Sequence, residues 1–155
     1  MPQKQPFGIV DIVLIVVIVA LTGLLVYVIY KPSAELAKQE NLKWESRARM
    51  THLRTAELQY YQRNKNYLSD IDSILIFIRD SLSAEVRDSL FPKLYTGRFV
   101  IDSLRHSPRS LQPYVIMVDD TSSKVPRYRI DDPDGYGHIS SLDNPNEHNK
   151  ASWEQ

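Results

Sequence analysis

The chain has 155 residues, with 19 Lys plus Arg balanced by 19 Asp plus Glu, and no cysteine. Balanced charge leaves no overall field to draw nucleic acid, and the lack of thiols excludes disulfides, thiolate metal sites and cysteine nucleophiles. No Walker loop, Gly-x-Ser-x-Gly, His-Glu-x-x-His or dinucleotide fingerprint occurs, so no residue is marked for catalysis and no small-molecule substrate is evident.

The first element is an uncharged, aliphatic run from Ile12 to Tyr30. A helix from Ile9 to Tyr30 is roughly 33 Å long, enough to cross a bilayer core. Fourteen of the nineteen residues from Ile12 are Val, Ile or Leu. At roughly −0.3 to −0.6 kcal/mol each, insertion is favourable by about 4 to 8 kcal/mol. Asp11 sits near the end of the span, where it costs less than the roughly 2.5–3.5 kcal/mol of a mid-membrane carboxylate. The run is longer than a signal-peptide core of about 15 residues. It leaves through Tyr27, Tyr30 and Lys31, an interfacial aromatic pair with a snorkelling lysine. The expectation is a retained membrane helix over 9–30, after a short leader or tail over 1–8. Lys31, Lys38, Lys43, Arg47 and Arg49 follow the span and only Lys4 precedes it, a count that points the following domain to the cytoplasm.

Pro32 and Ser33 form a helix-start signal, and no Gly or Pro occurs from Ala34 to Asn64. A helical stalk over 31–66 is expected, continuous or nearly so with the span. Leu53, Ala56 and Tyr60, with Met50 and Tyr61 beside them, form an apolar stripe that packs on a small domain, while the alternating charges read as a solvated face. Ser69-Asp70-Ile71-Asp72 matches a capping box, and Ile71, Ile74, Leu75, Ile78 and Leu82 follow at helical spacing with Phe77 on the flank. Between Ser83 and Pro113 the pattern gives turns and one short strand around 98–104. Tyr114–Val118, Val125–Asp131 and Tyr136–Leu142 read as three antiparallel strands, with a type I turn at Asp132-Pro133-Asp134-Gly135 and Pro126 near a strand start. The tail from Asp143 reads as irregular, with Trp153 as a tether. The fold expected is α+β, with a head domain over 67–155.

One region is dense in oxygen ligands: Asp131, Asp132 and Asp134 with Asp143, Asn144, Asn146 and Glu147. Calcium takes six to eight such oxygens. An EF-hand fails by counting: Gly135 at loop position six places Ile130 first and Ser141 twelfth, and Gly137 places Tyr136 fifth. Two readings stay open, a turn with a polar tail or a non-EF calcium loop using Asp132, Asp134, Asp143 and Glu147. His52, His106, His138 and His148 lack the spacing of a zinc site.

A short Lys-bearing leader ending in Gly8, an apolar helix running into an amphipathic half and a small antiparallel sheet together resemble a type IV pilin or type II secretion pseudopilin. Arg49-Met50-Thr51-His52-Leu53-Arg54-Thr55-Ala56-Glu57-Leu58-Gln59-Tyr60-Tyr61, followed by Asn64-Lys65-Asn66-Tyr67, is similar to the helix end of that family. The same helix end resembles uncharacterised single-anchor proteins of the Bacteroidetes type. The pilin resemblance implies cleavage after Gly8, a head in the periplasm against the charge count, and partners that are other membrane-anchored or pilin-like subunits. Lateral packing would use small residues such as Ala20, Thr22 and Gly23. Two positions depart from the family pattern: Ile9 follows Gly8, and Val13 stands where the family has Glu. Asp11 is the nearest carboxylate, about 200° around the helix at about 100° per residue.

Overall fold

A computed structural model describes residues 8–94, 97–121 and 125–154, so residues 1–7 of the expected leader, Lys4 among them, lie outside the described part. The fold is α+β. Helix α1 (Ile9–Asn64) is followed by α2 (Ile71–Ile76), which continues into a π-helical turn at Phe77–Ser81, and by α3 (Ala84–Leu90) and a 3-10 turn at Ile101–Arg105. Strands β1 (Val115–Asp119), β2 (Arg127–Asp131) and β3 (His138–Ile139) and a 3-10 turn at Pro145–Glu147 complete the order. The chain divides into two units, Met1–Glu40 and Asn41–Gln155.

In the first unit every described residue is exposed. An aliphatic helix without a protein core around it is stable where hydrocarbon replaces that core, because all its backbone groups are bonded internally. This helix is long and apolar enough to be compatible with a single membrane span. Several polar side chains along it are bonded locally. The Thr22 hydroxyl donates to the Ile18 carbonyl at 2.7 Å, and Lys31 Nζ reaches the Tyr27 hydroxyl at 3.1 Å. Pro32 lies inside α1 and does not start it. Ser33 is therefore no N-cap; its hydroxyl donates backwards to the Ile29 carbonyl at 3.1 Å, in the turn that Pro32 deprives of an N–H.

In the second unit the rest of α1 carries the apolar stripe. Met50, Leu53 and Ala56 are buried, Tyr60 meets Phe77 edge-on at 5.2 Å, and Tyr61 stacks on Tyr67 at 4.7 Å. The charged side chains of this stretch are not all solvated, which corrects the sequence expectation. Glu45 and Glu57 are buried, and Arg49 bridges Glu45 at 2.9 Å while donating to the carbonyls of Ser103 and His106. The helix stops at Asn64, where Lys65 takes a φ of 62° and donates its N–H to the Tyr61 carbonyl.

Asp70, and not Ser69, caps α2. Its carboxylate accepts from both the Ser73 N–H at 2.9 Å and the Ser73 hydroxyl at 3.1 Å, a stronger pair of bonds than a single hydroxyl cap provides. Ile74, Leu75, Phe77, Ile78 and Leu82 enter the core. The strand expected around 98–104 is absent. Ser103 donates its N–H to the Val100 carbonyl at 3.0 Å, and this local bonding closes a 3-10 turn that buries Leu104. Residues 84–90, read from sequence as turns, form α3 behind the Ser83 cap.

The sheet order is β1-β2-β3, antiparallel throughout, with Val115 opposite Asp131 and Ile130 opposite Ile139. Central β2 buries Tyr128 and Ile130 at period two. Strand β3 is shorter than the Tyr136–Leu142 expected, because Gly137 (φ 135°) and Ser140 (φ 64°) flank it in left-handed backbone. The tail takes up the pairing. Ser140 donates to the Lys150 carbonyl, Ser152 donates to the His138 carbonyl, and buried Ala151 bridges Ile139. The tail is thus part of the head's core and not an irregular appendage.

Candidate functional site

The acidic region resolves into separate hydrogen-bonded corners. Buried Asp132 accepts from the Ser46 hydroxyl through Oδ2, and from the Asp134 N–H (2.6 Å) and Tyr136 N–H (3.4 Å) through Oδ1. Tyr114 joins the same corner, 2.8 Å from the Ser46 hydroxyl. Asp134 accepts from the Ser107 hydroxyl and the Ser110 N–H. Burial raises its carboxyl, but those bonds outweigh burial and the net displacement is downward. Asp131 pairs with Arg129, Glu147 accepts from the Asn144 amide at 2.9 Å, and Asp143 is exposed. Among the described residues no group of three or more His, Asp or Glu side chains is placed to hold a metal ion. The four candidate calcium ligands are therefore not brought together. Near the start of α1, the Gly8 N–H donates to Asp11 Oδ2 at 2.9 Å, the reciprocal bond of a helix cap and its third residue.

Two groupings in the second unit were not marked by sequence. One is a buried polar cluster under α1. Glu57 is fully buried, with Oε2 accepting the Leu68 N–H at 3.0 Å and Oε1 lacking a hydrogen-bond partner among the described residues. Tyr128 Oη and His148 Nδ1 are buried in the same condition. Tyr67 links the rings: its hydroxyl lies 3.2 Å from His148 Nε2 and its centroid 4.5 Å from that of Tyr128. Burial pushes the Glu57 carboxyl up to about 7 against the Leu68 bond. Burial, with the nearby Tyr61 and Glu57, raises the Tyr67 phenol to about 12, and burial lowers the His148 imidazole, helped by Arg127.

The other is a groove of about 430 Å³ lined by Trp44, Arg47, Ala48, Thr51, Lys93 and Trp153. Trp44 and Arg47 stand three apart on α1 and so share a face. The Arg47 guanidinium lies 5.5 Å from the Trp44 ring centroid and 4.9 Å from that of Trp153, and its Nε donates to the Tyr136 carbonyl at 3.1 Å. Trp153 is a tether, as its sequence position led us to expect, and it tethers through a cation held between two indoles. Desolvation there lowers the Arg47 guanidinium's affinity for its proton.

No known protein family matches the chain, and comparison with curated proteins and with solved structures finds no match. The features above define a class: an α+β head and one apolar N-terminal helix compatible with a single membrane span.

Proposed function

We propose that the chain is a non-catalytic, pilin-like, membrane-anchored subunit or accessory component of a type II secretion or type IV pilus-type envelope machine. Its place would be the bacterial inner membrane, with the head in the periplasm. One observation carries the reading: residues 9–30 are aliphatic and exposed on every side, within a helix whose later turns build the core of an α+β head. A helix that is apolar all round has its natural surroundings in lipid or against other apolar helices. The pilin-like helix end, 49–67, supplies the choice of machine.

A second reading is a single-pass anchored binding domain that does not polymerise. Val13 at the position of the family's Glu favours it, as does the engagement of Asp11 by the Gly8 N–H. Intact mass of the protein from native membranes separates the two. Loss of Met1–Gly8 with a methyl group gained at Ile9 is the outcome expected for the assembling subunit. A mass retaining Lys4 and Gly8 overturns assembly and leaves the permanent anchor.

A further inference from the structure

We propose that the Trp44–Arg47–Trp153 groove is a docking site for an acidic peptide segment of a partner protein, one that carries an apolar side chain next to a carboxylate. The inference rests on reading the head as a binding module, and it holds whether or not the chain polymerises.

The groove is cationic and has no acid of its own among its lining residues. Two carboxylates adjoin the tryptophans in sequence: Glu45 is buried and paired with Arg49 at 2.9 Å, and Glu154 is committed to Arg54 through two bonds of 3.1 Å and to the Ala151 N–H. Arg47 is fixed by two ring contacts and one Nε bond, while its two terminal nitrogens make no hydrogen bond to a described residue. A guanidinium immobilised in this way presents a preorganised fork, and a planar carboxylate is the group that matches it with two parallel bonds. Across the groove the Lys93 ammonium has no ion pair with a described residue and is exposed. Lys93 also borders a second depression of about 370 Å³ that contains Arg98 and Asp88, so positive charge extends past the groove with one acid within it.

A bare anion would use the two cations and leave the open surface of Trp44 uncovered. Trp44 is 45% exposed, a large aromatic surface left open beside a cation. Tryptophan and arginine are residue types that anchor protein interfaces, tryptophan by removing much apolar area from water at small entropic cost and arginine by forked, charge-assisted bonds. Flat apolar walls flanked by two cations fit a peptide whose apolar side chain lies on an indole while its carboxylate meets Arg47.

The two tryptophans of the chain are Trp44 and Trp153, so intrinsic fluorescence reports on this groove alone. The test titrates the full chain in neutral detergent micelles with an acetylated Asp-Glu-Leu-Asp-Phe-Glu peptide. Its control is the same peptide with every acid replaced by its amide. The expected result is a saturable emission change with the acidic peptide only, weakened about tenfold between about 50 and about 500 mM salt. Lys93→Glu, an exposed substitution that leaves the melting temperature unchanged, weakens it by about tenfold or more. Arg47→Gln abolishes it while far-ultraviolet dichroism stays native. No emission change up to about 1 mM peptide, or an equal response to the amide peptide, overturns the proposal. A response confined to mixed micelles containing phosphatidylglycerol assigns the groove to a lipid surface and overturns it equally. None of these outcomes depends on processing at Gly8, which the intact mass reads separately.

Discussion

Glu57→Gln should make the head more stable at neutral pH, and the size of the gain follows from burial. The folded carboxyl titrates at about 7 against 4.5 as its ordinary value, because it is buried with a single N–H on one oxygen. Between those two pH values the folded protein keeps a proton that the unfolded chain has released, so stability falls as pH rises. The loss is complete just above pH 7 and amounts to about 3 kcal/mol. Glutamine keeps the Leu68 bond and never ionises. The variant and the parent should therefore match near pH 4.5, and the variant should lead by about 3 kcal/mol at pH 8, or about 10 °C in Tm. His148 and His52 have lowered affinities for protons and act in the opposite sense, their stability being lost as pH falls through the imidazole range. They are common to both proteins and cancel in the difference. The assay is denaturant unfolding of both full chains in micelles, followed by tryptophan emission at intervals from pH 4.5 to pH 8. A flat difference curve, or a variant less stable by about 2 kcal/mol throughout, would refute the reasoning.

Three further outcomes are expected. Millimolar calcium should leave the melting temperature unmoved, since Asp132 and Asp134 are occupied by donors from Ser46 and Ser107 and no metal-holding acidic cluster forms among the described residues; a rise would show a calcium loop after all. Asp132→Ala should cost about 2 to 4 kcal/mol in the same unfolding assay, because it strips the Ser46 hydroxyl and two N–H groups of a buried acceptor at once. Gly137→Ala should cost about 2 kcal/mol or more, and shift tryptophan emission. A Cβ at Gly137 would meet Ser152 Oγ at 2.7 Å and the Trp153 ring at 2.8 Å, in backbone with a φ of 135°.

Much of the architecture was legible because its signals are local. The aliphatic run, the unbroken helix through the stalk, the α2 face and the alternation of β2 each need only a few residues to declare themselves. The errors arose where long-range packing overrode local preference. Residues Ser46, Met50, Leu53, Glu57 and Tyr60 follow one 3–4 spacing, yet Glu57 reads as a solvated charge until tyrosines from elsewhere in the chain enclose it. Ala151 gives no hint from its neighbours that it completes β3. The groove was hidden for the same reason: Trp44 and Arg47 sit three apart in the sequence, but Lys93 and Trp153 arrive from other segments. Of the four acids grouped by sequence, Asp132, Asp134 and Glu147 have donors nearby in Ser46, Ser107 and Asn144, and Asp143 is exposed.

The pairing of the tail with β3 sets the order in which the protein can be completed during synthesis. Arg54 lies on α1, which is synthesised before the strands, and its partners Asn149 and Glu154 are separated from it by 95 and 100 residues. Contacts so distant in sequence form late and slowly. Helix α1 is therefore complete while the head is still an open chain, with Tyr128 and Ile139 uncovered. Until residues 150–152 emerge, the apolar side chains under β3 lack the backbone pairing that covers them, the kind of exposed surface that favours aggregation in incomplete chains. Residues 150–152 thus close the core over β3 only after every other element of the head has been made.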